Sequence, residues 1–133
     1  MKIGCPKEIK PQEFRVGLTP HAAHEAVQNG HTVLIETNAG LGSGFTDADY
    51  VAVGATIIPT AEEVFAAADM IVKVKEPQAV ERKRLRKDQI LFTYLHLAPD
   101  PDQTNDLLAS GVTAIAYETV TDRMGGLPLL APM

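Results

Sequence analysis

Two short runs decide the fold of this chain: Met70-Ile71-Val72-Lys73-Val74-Lys75 and Ile90-Leu91-Phe92-Thr93-Tyr94-Leu95-His96-Leu97. Each is mostly apolar over the length of one strand and lacks the clean alternation of a strand with one wet face, so each reads as a strand covered on both sides. Between them, residues 79 to 87 form a charged helical segment. A strand, a helical crossover and a second strand make a parallel pair. The same unit repeats outward. Residues 2 to 6 are a short apolar run ended by Pro6, and Thr19-Pro20 supplies an N-cap and first-turn proline for a helix stopping at Asn29-Gly30. Residues 32 to 36 and 55 to 58 read as further strands. Thr46-Asp47 and Thr60-Ala61-Glu62-Glu63 open helices, the second as a capping box. Residues 100 to 109 read as a helix ended by Gly111, and residues 112 to 116 as a last strand. Strand and helix alternate about five times, which predicts an α/β domain: a mostly parallel sheet with helices on both faces, flavodoxin- or Rossmann-like.

Composition agrees with one folded domain. The chain has 133 residues, 45% apolar and 22% charged, close to globular averages. Its 12 Lys+Arg against 17 Asp+Glu give a net charge of -5, which argues against a general nucleic-acid binder. No apolar run approaches the roughly 20 residues that cross a bilayer, and no secretory signal is visible. The lone Cys5 allows no internal disulfide and fits a reducing, cytoplasmic setting.

In parallel sheets, ligands bind beyond the carboxyl ends of strands, and three residues there can carry chemistry. Arg15 is one cation between Phe14 and Val16, able to grip a carboxylate with two N–H groups or to pair with Glu8 or Glu13. Lys75 shares a strand face with Lys73; it can bind an oxyanion, or both lysines can simply solvate the strand exit. His96 follows an apolar strand and belongs to the residue type that exchanges protons near neutral pH, although a lone histidine there can equally be structural. Gly40-Leu41-Gly42-Ser43-Gly44-Phe45 looks like a phosphate loop but has Phe45 where the dinucleotide fingerprint needs Gly or Ala, so it reads as a turn. His21 and His24 have no third ligand, so no metal is expected. The five cations between Glu81 and Lys87 read as a solvated helix face, and Cys5 as a small core residue. Asp122 to Gly126 reads as a turn. Leu127 to Met133 is apolar with no polar tail, which is expected of a chain continuing into a partner domain.

Six stretches together carry a resemblance: Met1 to Glu8, Arg15-Val16-Gly17-Leu18-Thr19-Pro20, Gly42-Ser43-Gly44-Phe45, Val72-Lys73-Val74-Lys75-Glu76-Pro77, Tyr94-Leu95-His96-Leu97-Ala98 and Leu129-Leu130-Ala131-Pro132-Met133. In order, and over the whole chain, they resemble the amino-terminal part of the bacterial L-alanine dehydrogenases. The resemblance implies reversible NAD-dependent oxidative deamination of L-alanine to pyruvate and ammonium. It makes Arg15 the carboxylate-binding arginine, Lys75 the lysine on the substrate's carboxylate or carbonyl oxygen, and His96 the acid/base. Tyr94, Leu130 and Met133 match apolar positions around the substrate. It further implies a homo-hexamer, and NAD held mainly by a second, glycine-fingerprinted domain that these residues lack. Residues 1 to 133 are therefore expected to be the substrate-binding domain alone, inactive by itself. The related amino-terminal domain of nicotinamide nucleotide transhydrogenase is the nearest rival, but it has no counterpart of His96 or of the Lys-Glu-Pro at Lys75. Saccharopine dehydrogenases are a more distant resemblance, and a non-catalytic α/β binding module is the remaining alternative.

Overall fold

The computed structural model describes residues Met1 to Met133. Local caps start most helices where the sequence places them. Thr19 accepts a hydrogen bond from the Ala22 amide and Pro20 fills the first position of α1 (Pro20–Gln28). Thr46 and Asp49 form a reciprocal capping box at the head of α2 (Asp47–Ala52). Thr60 accepts from the Glu63 amide at α3 (Ala61–Ala67), and Asp100 from the Gln103 amide at α5 (Pro101–Ser110). The crossover helix α4 (Ala79–Arg82) is much shorter than residues 79 to 87.

Six strands build one sheet: β1 (Lys2–Cys5), β2 (Thr32–Glu36), β3 (Thr56–Ile58), β4 (Met70–Val72), β5 (Ile90–Thr93) and β6 (Thr113–Ala116). Their order is β3-β2-β1-β4-β5-β6, and every pairing is parallel. The chain thus winds outward from β1 in one direction and then from β4 in the other. Loops leaving β1 and β4 diverge to opposite sides, which opens a crevice at their carboxyl ends.

Two buried clusters flank the sheet. Cys5, Val33 and Ile35 pack with Ala23 of α1 and Tyr50 of α2. Ile71 and Leu91 pack with Val64 and Phe65 of α3 and Leu107 of α5. Helices therefore lie on both faces of the sheet as a whole. On β5 and β6, however, Phe92 and Ile115 point away from the second cluster and belong to neither, and Ile115 is exposed. Cys5 is fully buried, and burial pushes its thiol up to about 12, in keeping with a core residue.

The charged segment from Glu81 of α4 to Lys87 departs from the expected solvated helix face. Glu81 and Leu85 are buried, and three arginines hold neighbouring elements. Arg86 donates to the carbonyl of Ala68, 2.6 Å away, just past the end of α3, where carbonyls lack helical partners. Arg82 bonds Asp106 of α5 at 2.7 Å, and Arg84 reaches Glu62 and lies over the Phe65 ring. Only Lys83 and Lys87 are left as free surface cations of the five. No helix is long and apolar enough to cross a membrane.

Gly17 rests its Cα directly on the exit of β4. A Cβ there would lie 2.6 Å from the Val72 carbonyl oxygen and 3.0 Å from the Lys73 Cα, both backbone atoms with little freedom to yield. Gly17→Ala is expected to destabilise the chain by about 2 kcal/mol through this overpacking. A lowered urea midpoint checks it, and an unchanged midpoint would contradict the tight packing.

Candidate active site

The crevice between the exits of β1 and β4 is held together by charge. Glu8, in the loop after β1, is buried and accepts from Lys73 Nζ at 3.1 Å, the Val74 amide at 3.3 Å and the Lys75 amide at 2.9 Å. Lys73 Nζ also lies 3.2 Å from Glu81 Oε2, and all three side chains are sealed from solvent. Burial works against the Lys73 charge, but Glu8 and Glu81 outweigh it and hold the ammonium above the ordinary lysine value. Glu81, by contrast, is raised above the usual carboxylate range, because burial exceeds the help it receives from Lys73. The reading in which Lys73 and Lys75 both solvate the strand exit therefore fails for Lys73. Two acids supplied from distant segments make its burial tolerable.

Arg15 behaves differently. Its Nε and Nη2 donate to the two carboxylate oxygens of Glu13 at 3.0 and 2.7 Å, and its own amide donates to Glu13 Oε2 at 2.9 Å. Glu13 is nearly buried while the guanidinium is half exposed. Glu13 occupies one edge of the fork, so the Nη1 edge is left for another acceptor. Hydrogen bonding to Arg15 lowers the Glu13 pKa, burial opposes this, and Lys75 adds a smaller lowering.

Lys75 and His96 both pack on Tyr94. The Lys75 ammonium lies 4.8 Å from the Tyr94 ring centroid, and the Tyr94 and His96 rings stack at 5.5 Å and 14°. His96 is exposed and has a left-handed φ of 49°, unusual for a residue with a Cβ. Its amide donates to Glu118 Oε2 at 2.7 Å, and the Leu95 amide donates to both oxygens of the same carboxylate at 3.2 Å. Gln103, fully buried, holds the Leu95 carbonyl from the other side at 2.9 Å.

A cavity of about 440 Å³ opens above the uncovered part of the sheet. Val74, Phe92 and Tyr117 line it beside Arg15, and Leu129 and Met133 of the terminal turn face it. Burial pushes the Tyr117 phenol upward, so that hydroxyl stays protonated. Arg15 also borders a second, polar cavity with Lys7, Lys10 and Glu13.

Of the residues singled out from sequence, the structure brings Arg15 and Met133 to one cavity. Lys75, Tyr94 and His96 meet one another, and His96 opens onto a separate depression beside Glu118. Leu130 is half-buried and does not line the large cavity; Leu129 does. Sequence reading missed Glu118 and the triad of Glu8, Lys73 and Glu81. Their one visible signal was acids placed after strands in a crevice that also receives two lysines. The Gly40 to Phe45 loop braces this region. Ser43 Oγ donates to the Phe14 carbonyl at 3.0 Å, and a Cβ on Gly42 would lie 2.6 Å from that same oxygen. The loop presses on the segment that carries Arg15, in keeping with a structural turn.

Comparison with known proteins identifies the family. The family described as alanine dehydrogenase/PNT, N-terminal domain, matches residues 4–133. The chain is 55% identical to the alanine dehydrogenase of Halomonas elongata over all 133 residues, which are 36% of that protein. A solved L-alanine dehydrogenase superposes with a TM-score of 0.96 at 55% identity, covering 99% of this chain and 36% of that one. A transhydrogenase from Sinorhizobium meliloti is more distant, with a TM-score of 0.85 at 28% identity, covering 92% of this chain and 35% of that one. The chain thus spans about a third of the length of the curated relatives it matches.

The lowered Glu13 pKa has a definite sign. A carboxyl depressed on folding contributes stability that is present above its unfolded value, 4.5, and lost as pH falls through its folded value. Arg15→Ala is expected to move the Glu13 titration upward and to remove that acid-side loss. Carboxyl ¹³C titration of the two proteins checks this, and coincident curves would refute the pairing.

Proposed function

The chain belongs to the alanine dehydrogenase/PNT N-terminal domain family, and from that premise we propose that it is the substrate-binding domain of an NAD-dependent L-alanine dehydrogenase. The observation that carries the reading is the grouping of an ammonium and an imidazole on one tyrosine ring, Lys75 over Tyr94 and His96 stacked on it, together with an Arg15 guanidinium that keeps a free edge at the rim of the large cavity. L-Alanine and pyruvate each present a carboxylate next to a reacting carbon. Arg15 takes the carboxylate through its Nη edge, with Glu13 holding the opposite edge still. Lys75 binds a carboxylate or carbonyl oxygen, and the two cations turn a mobile anion into an oriented one. His96 moves protons at the nitrogen and oxygen of the reacting carbon. Tyr94, Met133 and, by resemblance, Leu130 supply apolar contacts.

Paired charges also explain how a chain of net charge -5 serves an anion. Glu8 and Glu81 neutralise Lys73, whereas Arg15 and Lys75 keep donors directed outward. The buried, unpaired Cys5 supports a reducing compartment, and we place the protein in the cytoplasm.

The residues of this chain do not fit the dinucleotide. The turn after β1, where a Rossmann fold cradles a pyrophosphate, runs over residues 6 to 19 with no Gly-x-Gly-x-x-Gly. Of the glycines after β2, Gly42 is pressed against Phe14 and Gly40 against Phe45 and Tyr50. No step through NAD is assigned to these residues, and the cofactor site belongs to the rest of the enzyme.

Two outcomes test the reading. Titration with pyruvate is expected to shift the His96 ring and Arg15 Nε resonances, and Arg15→Ala to abolish the His96 shift; a His96 shift that persists unchanged in the variant would sink the assignment. Purified 133-residue chain with L-alanine and NAD is expected to form no NADH, and measurable NADH would contradict the placement of the cofactor site elsewhere.

A further inference from the structure

We infer that Glu8 is a positioning residue for Lys75: anchored by the buried Lys73 ammonium, its carboxylate fixes the peptide from which the Lys75 side chain reaches over Tyr94. The inference rests on the reading that Lys75 holds a substrate oxygen.

Strand geometry sets the problem. β4 pairs with β1 only as far as Gly4 opposite Ile71, and β1 turns away at Pro6. Beyond that point the Lys73 and Tyr94 amides still bond across to and from β5, donating to the Phe92 and Val74 carbonyls. The Val74 amide, turned toward the departed β1, has no strand carbonyl to meet. Glu8 Oε2 takes that place, and Oε1 receives the next amide, that of Lys75. On the other side Thr93, fully buried, donates its hydroxyl to the Lys75 carbonyl at 2.9 Å. The Lys75 main chain is thus held at both its N–H and its C=O, which directs the side chain onto the Tyr94 ring.

Charge balance alone does not account for Glu8. Lys73 already has Glu81 at 3.2 Å, so a second buried carboxylate exceeds what one ammonium needs. The surplus acid is the one whose other oxygen faces Lys75, while no hydrogen bond joins Glu81 to that residue. This asymmetry supplies a matched control, because Glu8→Gln and Glu81→Gln each damage the same buried cluster and only the first removes the hold on Lys75.

NMR of the two variants tests the inference. In the unsubstituted chain the Lys75 ε-methylene protons are expected upfield, under the Tyr94 ring current, and the Lys75 amide proton downfield. Glu8→Gln is expected to lose both shifts and to weaken pyruvate binding by roughly tenfold. Glu81→Gln is expected to lower stability yet keep both shifts. If Glu8→Gln does not fold, the Glu8→Gln/Lys73→Met variant, which removes the ammonium with the carboxylate, is read in the same way. Retained Lys75 shifts without Glu8, or an equal loss in Glu81→Gln, would overturn the inference. Pyruvate affinity unchanged in Lys75→Ala would overturn the substrate role of Lys75 alone, since the ligand-free shifts decide the role of Glu8 by themselves.

Discussion

One carboxylate closes the place where the sheet reverses direction. Every doubly wound sheet has a pair of central strands whose exit loops part, and the amides along that gap lose their strand partners. Here Glu8 reaches from the β1 exit to the β4 exit, taking two amides and an ammonium. A buried acid in that position is tolerable because Lys73 is buried with it, and Glu81 of α4 gives the same ammonium a second partner. The crevice and the direction of Lys75 both depend on this cluster.

Around that centre the charges divide by burial. Lys73 is enclosed and spends its charge internally. Arg15 and Lys75 are partly exposed, each steadied by one neighbour, Glu13 or Tyr94, and each keeps donors for a ligand. The same chemistry of cation and acid therefore serves architecture in one place and, on the proposed reading, recognition a few residues away; solvent access makes the difference. The backbone at His96 follows a similar logic, since Glu118 and Gln103 hold it in a left-handed turn that an unsupported histidine would avoid.

The sheet is also asymmetric. Helices cover both faces near β1 and β2, whereas on the outer strands the terminal turn with Leu129 and Met133 stands over a cavity floored by Phe92 and Val74. That leaves Arg15 at the rim of an apolar chamber rather than at a flat surface, a setting in which a guanidinium attracts an anion more strongly than in open water.

Alternation of strands and helices, the caps at Thr19, Thr46 and Thr60, and the parallel class of the sheet were all legible in the amino-acid order. Each rests on contacts within a few residues or on a hydrophobic period, and such signals are local. The places of Arg15, Lys75 and His96 just beyond strand ends were legible for a related reason, because the strand boundaries that fix them are local signals. The length of α4 was not legible, since the charged run continues to Lys87 while the helix ends at Arg82. Which lysine is buried and which acid holds it were decided only by the tertiary structure. Glu8 and Lys73 lie 65 positions apart, and Glu118 and His96 lie 22 apart. Such pairings cost or stabilise according to how thoroughly the fold removes water from them, a quantity that no stretch of sequence carries by itself.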